Sequence, residues 1–101
     1  MTSYLISYDI GDDRLREKVA ALLQREGCTR VQKSVFFAPK FAIKELRALQ
    51  AALHALVGGK LEAGDSVLCV PVARKHLSGL LWEGGSPGLE SSLKDRFHIL
   101  I

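Results

Sequence analysis

The chain has 101 residues, of which 48% are hydrophobic and 25% charged, the length and balance of one compact globular domain rather than a disordered segment. The 14 Lys and Arg residues outnumber 11 Asp and Glu for a net charge of +3, a mild basic bias that permits an anionic partner without requiring one. No apolar run reaches the about 18 residues that a membrane span needs, and the charge of Asp9 arrives before a signal-peptide core forms, so a cytoplasmic protein is expected.

The first predicted element is a strand over Tyr4–Ile10, nearly continuous in apolar character and therefore expected at the centre of a sheet. Gly11, Asp12 and Asp13 punctuate the chain and offer a helix cap. From Leu15 to about Glu26, Leu15, Val19, Leu22 and Leu23 recur at helical spacing, and Gly27 ends the helix. Thr29–Pro39 is strand-like again, but its alternation is loose, and one long bent strand and a tight hairpin of two short strands fit equally. A second amphipathic helix is expected over Ala42–Val57, closed by Gly58 and Gly59. Asp65–Val72, apolar through its middle, reads as a buried strand.

Residues 1–72 thus form the predicted core, in the order of a ferredoxin-like α+β sandwich: an antiparallel sheet with two helices on one face. Residues 73–94, with Trp82 and the Gly84–Gly88 turn cluster, are expected as a flexible connection. Residues 95–101 read as a last strand with no slot in a four-stranded sheet. A hydrophobic strand without a neighbour is a liability unless it joins another sheet edge. Exchange or addition across a homodimer satisfies it, so a homodimer is expected.

Asp9 fits its apolar surroundings worst. A carboxylate there either caps the following turn, pairs with Arg14 or Arg16, or ligates Mg²⁺ or Mn²⁺ beside Tyr8. Mg²⁺ usually takes one or two carboxylates plus phosphates and water, so a twofold axis bringing a second Asp9 would complete such a site. Asp12 and Asp13 are read as helix caps instead. Arg14, Arg16 and Lys18 occupy the first two turns of the first helix, where cations oppose the helix dipole, and Arg30 and Lys33 follow on the next strand. Contact with nucleic-acid phosphates explains them, and a solvated face with Glu17 and Glu26 as partners explains them as well. Of the adjacent Phe36 and Phe37, one faces the core and the other a dimer interface or a base. Cys28 and Cys69 stand singly and read as buried, reduced thiols, while the scattered His54, His76 and His98 provide no zinc site.

Tyr4–Ile10 with its acidic turn, the run Arg14–Val19, and Arg30–Phe36 (Arg-Val-Gln-Lys-Ser-Val-Phe) together resemble the Cas-two proteins of CRISPR spacer acquisition. The resemblance is specific from Tyr4 to about Phe36 and looser as far as the Asp65–Val72 strand. It implies a metal-dependent endonuclease acting on RNA or double-stranded DNA, with Mg²⁺ or Mn²⁺ as cofactor and the Cas-one integrase as partner. Asp9 matches the family's metal-binding and catalytic aspartate, with Tyr8 beside it, and Arg16 matches a basic residue linked to nuclease activity. Lys18 falls where the family often has arginine, keeping the charge but losing the planar fork. Arg30, Ser34 and Phe36 match the second motif. The stretch between Val72 and Lys94 looks longer than is usual in the family.

Two functions follow from this reading. In the first, one ion between Asp9 and its symmetry mate supports phosphodiester cleavage, with Arg14, Arg16, Lys18, Arg30 and Lys33 on phosphates and Phe36 against a base or in the interface. No His lies near Asp9 in sequence, so cleavage is expected to be metal-dependent and favoured by alkaline pH. In the second, a non-catalytic dimer clamps DNA and bridges integrase dimers. A ligand-binding regulatory domain of the same fold lacks a pocket signature in the sequence.

Overall fold

A computed structural model describes residues 2–88. Its elements in chain order are β1 (Thr2–Asp9), α1 (Asp13–Arg25), β2 (Thr29–Gln32), β3 (Val35–Phe41), α2 (Ile43–Val57) and β4 (Ser66–Val72), followed by a 3₁₀ helix over Arg74–Gly79. The four strands form one sheet in the order β2-β3-β1-β4, with every neighbouring pair antiparallel. This is the expected ferredoxin-like α+β sandwich. The strand expected over 95–101 lies outside the described residues.

Both helices begin and end where local chemistry dictates. The Asp12 carboxylate accepts a hydrogen bond from the Leu15 N–H at 2.8 Å, satisfying one of the donors that open α1. At its far end Gly27 takes φ +89°, in the left-handed region, and lets the Cys28 N–H turn back to the Leu23 carbonyl at 2.9 Å. In α2 the Glu45 carboxylate accepts from the Ala42 N–H at 3.0 Å, tying the entering chain to the first turn.

The chain over 29–39 is a hairpin, not one bent strand, and turns at Lys33 and Ser34. Its second strand continues past Pro39 to Phe41 because a register shift against β1 accommodates the proline, with Lys40 at φ 51° beside it.

The sheet has two apolar faces. Beneath the helices, Ile6 and Tyr8 of β1 and Phe36, Ala38 and Phe41 of β3 meet Leu15, Val19, Leu22 and Leu23 of α1 and Leu49, Leu53 and Val57 of α2. On the opposite face Phe37 and Val31 are covered by Leu77 of the 3₁₀ helix, with Leu5, Val35, Val72 and Leu80 packed around them.

Two expectations need correction here. The strand β4 is an edge, with Leu68 58% and Val70 41% exposed on the face away from the helices, so its apolar run does not signify burial. The connection expected to be flexible is fastened to the sheet at the buried Leu77 and Ser86, while Leu81 to Gly85 between them are exposed. The chain passes from β4 across the open face to β2, where the buried Ser86 hydroxyl donates to the Val31 carbonyl at 2.5 Å. Gly88 lies so close to the Arg30 carbonyl that a Cβ would sit 1.9 Å from its oxygen.

Candidate nucleic-acid interface

The basic residues separate onto two sides of α1, as their helical spacing predicts. On one side, between α1 and the β2–β3 hairpin, an open groove of about 340 Å³ is lined by Tyr8, Arg16, Glu17, Arg30 and Lys33. On the other, a groove of about 310 Å³ gathers Arg14 and Lys18 with Lys60, Asp12 and Glu62. Lys60 carries no motif of its own. It follows the end of α2, which the packing of the two helices brings beside the start of α1.

Arg16 and Arg30 are both held in place. The Arg16 guanidinium donates to the Ile10 carbonyl at 3.1 Å and is paired with the Asp13 carboxylate, which offsets the unfavourable helix dipole. Arg30 extends over the Phe36 ring with its guanidinium carbon 5.2 Å from the centroid, a cation–π contact. Tyr8 stacks on the same ring at 6.2 Å between centroids and an interplanar angle of 27°. Held this way, the fork of Arg30 loses less freedom on meeting a phosphate than an unsupported arginine would.

Phe36 itself is 0% exposed, so it offers a base no face in this chain; its part is to anchor Arg30. Nor does Phe37 form an outward surface, because Leu77 and Val31 cover it. Ser34 contributes through its backbone, its carbonyl accepting from the Tyr8 N–H at 3.1 Å.

Asp9 lies at the exposed end of β1, opposite Ser66 of β4, and lines neither groove. Arg16 turns to Asp13 instead, and among the described residues Asp9 has no ion pair. By strand alternation it shares the face of the sheet that carries the exposed Leu68 and Val70. Among the described residues no group of three His, Cys, Asp or Glu side chains is placed to hold a metal ion. Among the described residues Asp9 is thus not joined by the further donors that a divalent cation usually takes, and a cation there would need donors from elsewhere, such as a second copy, phosphate or water.

The neighbouring loop is fastened by a residue the sequence did not single out. Asp65 accepts from the Gly11 N–H at 3.1 Å and from the Glu62 N–H at 3.0 Å, joining the turn after β1 to the loop before β4. Cys28 and Cys69 are both free. Burial, aided by the nearby Cys69 and Glu26, pushes the Cys28 thiol up to about 11, and burial raises Cys69 as well. Neither is a reactive thiolate at neutral pH.

This arrangement can be set beside known proteins. The model of the family described as CRISPR associated protein Cas2 matches residues 1–78. The chain belongs to the Cas2 family. Among solved structures, a hypothetical protein TT1823 from Thermus thermophilus is 34% identical with a TM-score of 0.67, the match covering 85% of this chain and 94% of that one. A chain of a partial Cas6-RT-Cas1–Cas2 complex is 26% identical with a TM-score of 0.71, covering 86% of this chain and 96% of that one. No curated protein matches. The family match reaches beyond the motifs between Tyr4 and Phe36 to include β4 and most of the 3₁₀ helix. Among the described residues, no helix of this Cas2-family chain is long and apolar enough to cross a membrane.

Proposed function

We propose that the chain serves CRISPR adaptation as a nucleic-acid-binding subunit that works as a homodimer with a Cas1-type integrase. The observation that carries the proposal is the convergence of Arg16, Arg30 and Lys33 on one open groove, with Arg30 held over Phe36. Three cations in one groove suit a run of backbone phosphates, contacts that set affinity and register rather than sequence. Arg14, Lys18 and Lys60 extend the basic surface to the other side of α1. Family membership and the likeness to a chain of a Cas1–Cas2 complex support the partner. The exposed Leu68 and Val70 beside an open sheet edge support pairing with a second copy.

Metal-dependent cleavage of RNA or double-stranded DNA is a second reading, favoured by Asp9, an exposed carboxylate without an ion pair among the described residues, on the same face as Leu68 and Val70. Two copies meeting through that face would bring two Asp9 side chains toward one Mg²⁺ or Mn²⁺. Such an ion supplies Lewis-acid polarisation of a phosphodiester. Asp9 would hold it, while Arg16 and Arg30 would orient the flanking phosphates.

Divalent-dependent cleavage and spacer integration with the integrase, each measured for wild type, Asp9→Ala and Arg30→Gln, separate these readings. Binding as the essential role predicts that Asp9→Ala keeps integration and Arg30→Gln impairs it. Integration untouched by Arg30→Gln and by the further loss of Arg16 and Lys33 would overturn it. Cleavage that persists undiminished in Asp9→Ala would remove the catalytic reading.

A further inference from the structure

The β2–β3 hairpin tip stands between two grooves, and Lys33 lines both. One is the basic groove of Arg16 and Arg30. The other, about 530 Å³ and open, is lined by Val31, Lys33, Val35, Trp82, Glu83 and Ser86, among others. We propose that this second groove is a stacking site for an unpaired nucleobase, with the Trp82 indole as its platform. The proposal rests on the binding reading above, because the base belongs to the strand whose phosphates the basic groove holds.

Three observations carry it. Trp82 is 41% exposed, whereas Phe36 and Phe37 are buried, so among the described residues Trp82 is the exposed aromatic beside the basic hairpin. The segment that bears Trp82 is anchored four residues on by the Ser86 hydrogen bond to Val31 and then by the close approach of Gly88 to Arg30, which keeps the segment beside the hairpin. Charge weights the two grooves differently: Arg16, Arg30 and Lys33 outnumber Glu17 in the first and favour phosphate, whereas in the second Glu83 balances the shared Lys33 and suits an uncharged ring. An indole face accepts any base, so the site selects unpaired ends or flipped nucleotides rather than a sequence.

Trp82 is the single tryptophan of the chain, so its emission reports the site directly. The full chain is titrated with a blunt DNA duplex and with the same duplex carrying a short unpaired overhang, in wild type, Trp82→Ala and Trp82→Phe. Thermal melting checks the fold of each variant. The overhang should quench the emission and bind about five-fold or more tightly than the blunt duplex, the lower end of what base–aromatic stacking provides. Trp82→Ala should lose that preference while keeping its affinity for the blunt duplex, and Trp82→Phe should retain part of it. A blunt duplex bound normally, with an overhang that neither quenches nor tightens binding, overturns the stacking site alone. Failure to bind either duplex overturns the binding reading and the stacking site with it. A Trp82→Ala protein with unchanged preference for the overhang but weakened association with a second copy or with the integrase assigns the indole to a protein contact and overturns the proposal.

Discussion

Replacing Arg30 with Gln removes one cation from the groove and leaves a shorter, uncharged polar side chain. Its main consequence should be electrostatic. Each neutralised phosphate contributes about 0.9 to the slope of log affinity against log salt on duplex DNA. Removing one contact per chain should therefore flatten the slope by about 0.9, or about 1.8 for two chains. Between 50 and 200 mM salt, a four-fold change, a slope difference of about 0.9 corresponds to roughly 3.5-fold in relative affinity for each chain. The fold should survive, because the lost contact with Phe36 is a single cation–π pair at an exposed guanidinium, worth about 0.5–1 kcal/mol. Fluorescence anisotropy of a labelled blunt duplex across that salt range measures the slope. Repetition with an unrelated duplex sequence should give the same loss, since phosphates carry no base identity. An unchanged slope, or a loss confined to one sequence, would refute the assignment of Arg30 to phosphate.

Four further outcomes are expected. Glu17→Gln removes the carboxylate that shares the groove with Arg16, Arg30 and Lys33, so duplex affinity should rise and the same titration will read it. Asp65→Ala abolishes the hydrogen bonds from Gly11 and Glu62 and should cost about 1–2 kcal/mol in thermal or denaturant unfolding. Phe37→Ala opens a cavity beneath Leu77 and should destabilise the fold by about 3–5 kcal/mol in denaturant unfolding, although Phe37 faces away from the helices. The native Cys28 thiol keeps its proton up to about pH 11 whereas the unfolded chain releases it from about 9, so its contribution to stability should be complete below pH 9 and lost toward pH 11. Unfolding midpoints across that range, compared with Cys28→Ala, check the sign.

The two helices were legible because Leu15, Val19, Leu22 and Leu23, like Leu49, Leu53 and Val57, recur at one face, and because Asp12 and Gly27 mark the ends of the first. The hairpin was ambiguous because its Lys33–Ser34 turn contains neither Gly nor Asn, and a register shift between Arg30 and Gln32 blurs the alternation of β2. Apolarity misled at β4. Composition reports that Leu68 and Val70 avoid water, but not whether their cover comes from the same chain. The outward aromatic expected of the Phe36–Phe37 pair is absent for a related reason: Phe36 faces the core beneath the helices and Phe37 the other side, yet only the fold reveals that Leu77 closes that second side. Gly88 shows the reverse error. A glycine cluster that suggests looseness in sequence here permits a backbone approach that any side chain would forbid.

The anchoring of the chain after β4 also governs how the sheet can grow. With the Ser86 hydroxyl on the Val31 carbonyl and Gly88 against that of Arg30, the chain lies against β2, while among the described residues β4 keeps its rim open. Among the described residues, β4 is the edge left to an added strand. Filaments of sheets joined side by side need two free rims on every copy, whereas a twofold pair needs one. Pairing of two copies at β4, as proposed above, would close on itself, and an apolar edge that is otherwise an aggregation hazard would become a contact used once.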